Sequence, residues 1–237
     1  MTPRGSTCVL ARRWRDLWKS TPALCITETV ERWENPEDTI EFVNHLLLLR
    51  DRSPLDICEL NLYQDYTTDD ETDRPFRYIQ LWIRYALAHK ARVLRVLTFN
   101  IIGDSETVHF DLDRARLVSR HLTVLELHTF IFKSDLTLCP TFSNLKTLLL
   151  GEWSVAVDLA SVVCLLQHSP VLEKLTFRLN EVPEHLVEME GSQNPAEQFT
   201  HLKTVEVACR DVEERVQKFL KCLISHGVPA DVIKIKK

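Results

Sequence analysis

A short apolar pattern recurs along the chain: apolar-x-x-apolar-x-apolar. Its last two apolar positions are two residues apart, which is the period of a strand with one buried face. The pattern therefore predicts six short strands, and a shorter echo at Ile233 and Ile235 predicts one more. The six occurrences are Ile57/Leu60/Leu62, Leu94/Leu97/Phe99, Leu122/Leu125/Leu127, Leu145/Leu148/Leu150, Leu172/Leu175/Phe177 and Leu202/Val205/Val207.

The segments between these strands carry the signals of helices. A cap residue, a first-turn proline and early acids at 35–38 precede Ile40, Val43 and Leu47, which predicts a helix start. Further helices are predicted from Phe76 to Leu87, from Leu159 to about Gln167, where Ser169-Pro170 ends it, and from Val212 to Ile224, where Gly227 follows.

The alternation of strands and helices predicts an α/β fold. First positions of successive units are 37, 28, 23, 27, 30 and 31 residues apart, around or above the leucine-rich-repeat period of roughly 20–29. We therefore expect a leucine-rich-repeat solenoid, in which a curved parallel sheet has helices on its outer side. The alternative is a doubly wound α/β domain. The chain has only five glycines, and no two are spaced to build a phosphate-binding loop.

The residues that flank the middle apolar position of each unit should point away from the core, because side chains on a strand alternate faces. On a concave sheet they form the predicted partner-binding surface. Val96, Val124 and Leu149 are predicted to make one apolar patch there, which either binds a partner or is covered by residues 63–75 or by the C-terminal segment. The predicted surface consists of Glu59, Val96, Val124, Thr147, Lys174 and Thr204 in one column and Asn61, Thr98, Glu126, Leu149, Thr176 and Glu206 in the other.

Composition narrows the classes of partner. The net charge is -5 with acids and bases interspersed, which argues against nucleic acid or a membrane surface as a partner. No apolar run approaches the roughly 20 residues of a membrane-spanning helix. The seven cysteines are odd in number and scattered, as is typical of reduced thiols in a core. We expect a monomer in the cytoplasm or nucleus.

Catalytic and metal-binding patterns are absent from the sequence. Nine histidines form no H-E-x-x-H motif, and no C-x-x-C or G-x-S-x-G motif occurs. The acidic residues at 65–73 do not have EF-hand spacing, so a solvated loop is the simpler interpretation. The sequence predicts a binding module without enzymatic activity, metal or cofactor.

One segment resembles a known family. The stretch Cys8-Val-Leu-Ala-Arg-Arg-Trp-Arg-Asp-Leu-Trp-Lys-Ser-Thr-Pro22 resembles the C-terminal half of a plant F-box. As a helix it is amphipathic. Residues 42–51 look like the helix after the F-box in grass-type members, and residues 199–207, 212–224 and 227–235 are similar to the C-terminal FBD-type module. The resemblance implies a partial F-box at 1–24, irregular leucine-rich repeats at 25–198 and an FBD-like module at 199–237.

The resemblance implies that the chain is the substrate-recognition subunit of an SCF-type (cullin-RING) ubiquitin ligase and that its target is an unknown protein. For Trp14 and Trp18 the alternative to adaptor contact is that they pack the F-box helix onto the repeats. The family's F-box begins with two further helices, and only residues 1–7 precede this segment, so weak or lost adaptor binding is expected. A ligase-independent interaction module, or decoy, is the alternative. The implied adaptor residues are Leu10, Arg13, Trp14, Leu17 and Trp18.

Overall fold

The structure, a computed structural model, describes residues 16–27, 36–64, 74–100, 117–128, 140–151, 159–179, 199–210 and 214–236. Ten strands, four α-helices and two short 3₁₀ helices, Leu17–Ser20 and Ala230–Val232, lie in these ranges. The strands are β1 (Ala23–Thr27), β2 (Ile57–Gln64), β3 (Val93–Asn100), β4 (Val118–Ser119), β5 (Val124–His128), β6 (Thr141–Phe142), β7 (Thr147–Gly151), β8 (Lys174–Leu179), β9 (Thr204–Cys209) and β10 (Ile233–Lys236). The helices are α1 (Pro36–Leu49), α2 (Arg74–Ala88), α3 (Leu159–Gln167) and α4 (Glu214–Ser225).

Eight strands form one open sheet in the order β1-β2-β3-β5-β7-β8-β9-β10, and each neighbouring pair is parallel. The predicted α/β class with a parallel sheet is thus confirmed. The strand order follows the chain and does not reverse, whereas a doubly wound domain reverses at its switch point. That alternative is wrong. The short strands β4 and β6 pair in a separate two-stranded sheet.

All four predicted helices are present, with bounds within about two residues of the predicted ones. Their buried apolar residues join the core formed by the strands. Val43 and Leu47 of α1 are buried, as are Ile79 and Ile83 of α2. The recurring pattern did not predict the two-residue strands β4 and β6. Nor did it predict β1, since the sequence Ala-Leu-Cys-Ile-Thr offers only Leu24 and Ile26 to the core.

The register of the sheet places inward-facing residues in two rows that cross all eight strands. Most members of both rows are buried. The first row is Leu24, Cys58, Leu94, Leu125, Leu148, Leu175, Val205 and Ile233. The second is Ile26, Leu60, Val96, Leu127, Leu150, Phe177, Val207 and Ile235.

This register corrects the predicted frame of the first two units. Cys58 and Leu94 align with Leu125, so the first unit is Leu55/Cys58/Leu60 and the second is Ala91/Leu94/Val96. The predicted frames were wrong by two and three residues. The apolar runs of β2 and β3 are long enough to fit the pattern in more than one frame, and the small Ala91 and Cys58, both almost fully buried, hid the true one.

Backbone hydrogen bonds at the starts of β2, β3, β5, β7, β8 and β9 fix this register. The carbonyl just before one strand accepts two N–H groups from the start of the next. Asp56 N and Ile57 N donate to Pro22 O at 2.7 and 3.2 Å, and Arg92 N and Val93 N donate to Asp56 O at 3.1 and 2.9 Å. The same arrangement recurs at the carbonyls of Arg92, Thr123, Lys146 and Glu173.

The inner row generates a stability prediction. Leu148 and Leu175 are fully buried neighbours in adjacent strands, so we expect truncation of either to alanine to lower the free energy of unfolding by about 2–5 kcal/mol. Leu48→Ala is the matched control, because Leu48 is 81% exposed. The measurement is denaturant-induced unfolding of all three variants. Equal unfolding midpoints for the buried and exposed variants would contradict the inner-row assignment.

Candidate functional site

The strand residues that alternate with the inner rows form a second surface, which we call the polar face. It carries three rows of side chains, where the sequence predicted two columns. The rows are Ala23, Ile57, Val93, Val124, Thr147, Lys174 and Thr204; Cys25, Glu59, Arg95, Glu126, Leu149, Thr176, Glu206 and Lys234; and Thr27, Asn61, Leu97, His128, Gly151, Arg178, Ala208 and Lys236.

Most of the predicted surface residues lie on the polar face, although their role in binding a partner stays a prediction. Val96 does not: it belongs to an inner row and is fully buried. Its assignment to the surface is wrong because the frame of the second unit was wrong. Thr98 pairs with Leu62, and its side chain lies outside the described part. The residues on the polar face are Glu59, Asn61, Val124, Glu126, Thr147, Leu149, Lys174, Thr176, Thr204 and Glu206.

The predicted apolar patch is not formed. Of its three members, Val96 is in the core and Leu149 is only 8% exposed. Val124 is partly exposed and pairs with Thr147. The prediction of a continuous exposed patch is therefore wrong, and charged side chains dominate the accessible part of the surface instead.

An ion network crosses β2, β3 and β5 on the polar face. Arg95 Nη1 donates to a carboxylate oxygen of Glu59, and Arg95 Nε lies 3.2 Å from Glu126 Oε1. The Glu59 hydrogen bond, aided by Glu126, raises the pKa of the Arg95 guanidinium. Three neighbouring strands are thereby joined by one cation held between two carboxylates.

A network of opposite sign crosses β8, β9 and β10. Lys236 Nζ lies 2.8 Å from Glu206 Oε1, and Lys174 Nζ lies 3.0 Å from Glu206 Oε2. Hydrogen bonds from Lys236 and then Lys174 lower the pKa of the Glu206 carboxyl below its ordinary value. Here one carboxylate is held between two cations.

His128 and Gly151 meet on the polar face between the two networks. They are register partners in β5 and β7. A Cβ atom at Gly151 would lie 2.7 Å from His128 Cε1 and 2.9 Å from Cγ, closer than side chains pack. Glycine is therefore required at this position for the imidazole of His128, which is only 9% exposed, to lie over β7.

The residues implied to bind the adaptor are only partly described. Leu10, Arg13 and Trp14 lie outside the described residues. Leu17 and Trp18 belong to a 3₁₀ turn, Leu17–Ser20, and Leu17 is 50% exposed. Arg50, at the end of α1, donates from Nη1 to Trp18 O at 3.2 Å and from Nη2 to Thr21 O at 2.7 Å. These bonds tie the turn to α1, and whether Leu17 contacts an adaptor stays a prediction.

Groups that would support chemistry are not assembled in the described ranges. There, no cluster of three or more His, Cys, Asp or Glu side chains is suited to a metal ion, and no helix has the length and apolarity to cross a membrane. The acidic residues at 65–73 lie outside the described part.

The cysteines differ in state. Cys25, Cys58, Cys209 and Cys222 are free thiols, whereas Cys164 is disulfide-bonded, contrary to the expected reduced state. Burial raises the pKa of the Cys58 thiol to about 12.

Sequence reasoning missed several polar residues of this face. Arg95 was overlooked because the frame of its unit was misread, and Arg178 lies one alternation beyond the two columns considered. His128 was overlooked for the same reason as Arg178, whereas Lys236 lies on the last strand, for which no column residues were assigned. One further step of the period of two along each strand would have found Arg178 and His128, and the same alternation applied to the last strand would have found Lys236.

Comparison with known proteins gives one local similarity. The chain is 32% identical over 91 residues to a putative FBD-associated F-box protein of Arabidopsis thaliana, and the match covers 38% of this chain and 22% of that protein. This similarity suggests the F-box/FBD family. No family profile matches the chain. No solved structure matches it either.

The contact between His128 and Gly151 can be tested by a double-mutant cycle. We expect Gly151→Ala to lower the free energy of unfolding by about 1–3 kcal/mol, because the new methyl group overpacks the imidazole. In a His128→Ala background the same substitution should cost much less, since the neighbour has been removed. Chemical denaturation of the four proteins measures this coupling, and strictly additive effects would show that the two residues do not touch.

Proposed function

We propose that this chain is a substrate-recognition subunit of a Skp–cullin-type ubiquitin ligase that binds a target protein through the polar face. The observation that carries the proposal is the similarity to an FBD-associated F-box protein. The F-box-like sequence around Trp14 and Trp18 adds to it. The match covers only 22% of the relative. The activity and the partners of this chain are therefore proposals, which rest also on its own F-box-like sequence and on the polar face.

The proposal includes a leucine-rich-repeat architecture. Support comes from the strand order, which follows the chain, and from the corrected units, whose first positions at 55, 91, 122, 145, 172 and 202 recur every 23–36 residues. In a solenoid each unit contacts mainly its neighbours and one long face is left for a partner. Within this architecture residues 1–24 are the partial F-box, 25–198 the repeats and 199–237 the FBD-like module.

In this proposal the chain positions a target and does no chemistry. Ubiquitin transfer belongs to other subunits of such ligases, so the contribution of this chain is proximity and orientation. The polar face suits that role because it crosses eight strands and carries charged side chains fixed in ion networks. We place the protein in the cytoplasm or nucleus, where ligases of this kind act.

Two variants separate adaptor binding from target binding. Leu17→Glu changes an exposed residue of the adaptor segment, and Val124→Lys changes a partly exposed residue of the polar face. The tagged chain is expressed in plant cells with the proteasome inhibited. We expect Leu17→Glu to reduce the co-purified Skp-type adaptor, and Val124→Lys to reduce co-purified ubiquitin conjugates at an unchanged adaptor level.

The matched control is Val118→Lys, the same substitution at a 60% exposed valine of β4, outside the polar face. It should behave as the unmodified chain. Failure of the unmodified chain to purify with any Skp-type adaptor would remove the ligase role. If the adaptor is present and Val124→Lys behaves as Val118→Lys, the polar face is not the recognition surface.

A further inference from the structure

Positive charge is concentrated at the C-terminal end of the polar face. Alternate residues of β8, β9 and β10 form an array of side chains with Glu206 at its centre. Four of its positions are cations, set against this one carboxylate, so the array has a net charge of about +3 at neutral pH. We call this array the basic patch: Lys174, Arg178, Lys234 and Lys236 around Glu206.

The internal ion pairs leave half of these cations available. Both oxygens of Glu206 are engaged, one by Lys174 and one by Lys236. Arg178 and Lys234 are exposed, and neither forms an ion pair with another residue in the described ranges. A partner carboxylate therefore finds two cations that are not neutralised within the patch.

Protection of the sheet edge does not explain the whole patch. Lysines on an edge strand discourage the addition of another chain, and β10 is the edge of this sheet, which accounts for Lys234 and Lys236. Lys174 and Arg178 lie on β8, which has a paired strand on each side. The ion pair with Glu206 accounts for Lys174, whereas Arg178 has no ion partner in the described ranges, and binding of an anionic group supplies a reason for its charge.

The negative charge of the rest of the chain favours a short anionic ligand over a long one. The protein carries -5 overall, and the opposite network of Arg95 with Glu59 and Glu126 has one excess negative charge. Charges more than about 8 Å apart are largely screened at physiological salt. A short acidic segment can therefore bind within the basic patch without repulsion from the rest of the protein. A long polyanion would extend beyond the patch and be repelled by the negatively charged surface there.

The residues at the centre of the basic patch are small enough for a ligand to approach the sheet closely. Thr176 and Ala208, which lie beside Glu206 in the array, have short side chains, and Thr176 is only 7% exposed. We propose that the basic patch binds an acidic peptide segment of a protein partner. This inference rests on the proposed role of the polar face in target recognition and adds the chemistry of the target.

The test uses the full chain and a fluorescein-labelled peptide of alternating glutamate and serine, with its glutamine counterpart as the uncharged reference. Fluorescence anisotropy at about 0.05 and 0.15 M ionic strength measures binding. We expect the glutamate peptide to bind, the glutamine peptide not to bind, and affinity to fall with salt. Arg178→Glu and Lys234→Glu should each weaken binding on the order of fivefold.

Lys221→Glu on α4 is the matched control, since it makes the same change in net charge at an exposed position outside the sheet. It should bind as the unmodified chain does, and thermal unfolding verifies that all variants fold. Equal losses in the control and the patch variants, or no binding by the unmodified chain, would overturn the inference. Tighter binding of a single-stranded oligonucleotide than of the glutamate peptide would also overturn it.

This experiment is independent of the adaptor. A chain that co-purifies with a Skp-type adaptor and does not bind the glutamate peptide loses this inference alone. A chain that binds the peptide through Arg178 and Lys234 and never co-purifies with an adaptor keeps the basic patch and loses the ligase role.

Discussion

The paired hydrogen bonds at the starts of six neighbouring strands, β2, β3, β5, β7, β8 and β9, determine the rest of the structure. One carbonyl accepts two N–H groups of the next unit, from Pro22 at the beginning to Glu173 near the end. This bonding sets the register, and the register decides which residue of each strand faces the helices. Because side chains alternate, the same bonds place Leu148 in the core and Thr147 on the polar face. The register therefore determines the residues of both the buried side of the sheet and the polar face.

The helices end in a way that repeats from unit to unit. After α2, α3 and α4, a histidine hydrogen-bonds through Nδ1 to the carbonyl four residues earlier, at 2.8 Å for His89, 2.9 Å for His168 and 2.7 Å for His226. The backbone N–H of each histidine donates to the same carbonyl, so the imidazole adds a second hydrogen bond to a carbonyl of the last helical turn. Arg50 occupies the corresponding position after α1 and bonds to the adjoining turn instead.

The sequence predicted the helices and the class of the fold because their signals are local. Caps, prolines and apolar stripes act within one element, so 36–49 and 159–167 could be read directly. The frame of β2 and β3 could not, because the choice between Leu60 and Cys58 as the middle core residue depends on pairing with β5. Contacts between strands, such as Gly151 with His128 or Arg95 with Glu126, require that register before any periodicity reveals them.

The central claim is that the sheet has one buried and one accessible side in the register described, and native cysteines test it without mutation. Cys25 is exposed on the polar face, and Cys58, on the adjacent strand, is buried in an inner row. Alkylation of the folded protein, followed by mass spectrometry at each site, compares them. The account predicts rapid modification of Cys25 and protection of Cys58 until the protein unfolds, whereas equal rates at both thiols in the folded protein would contradict it.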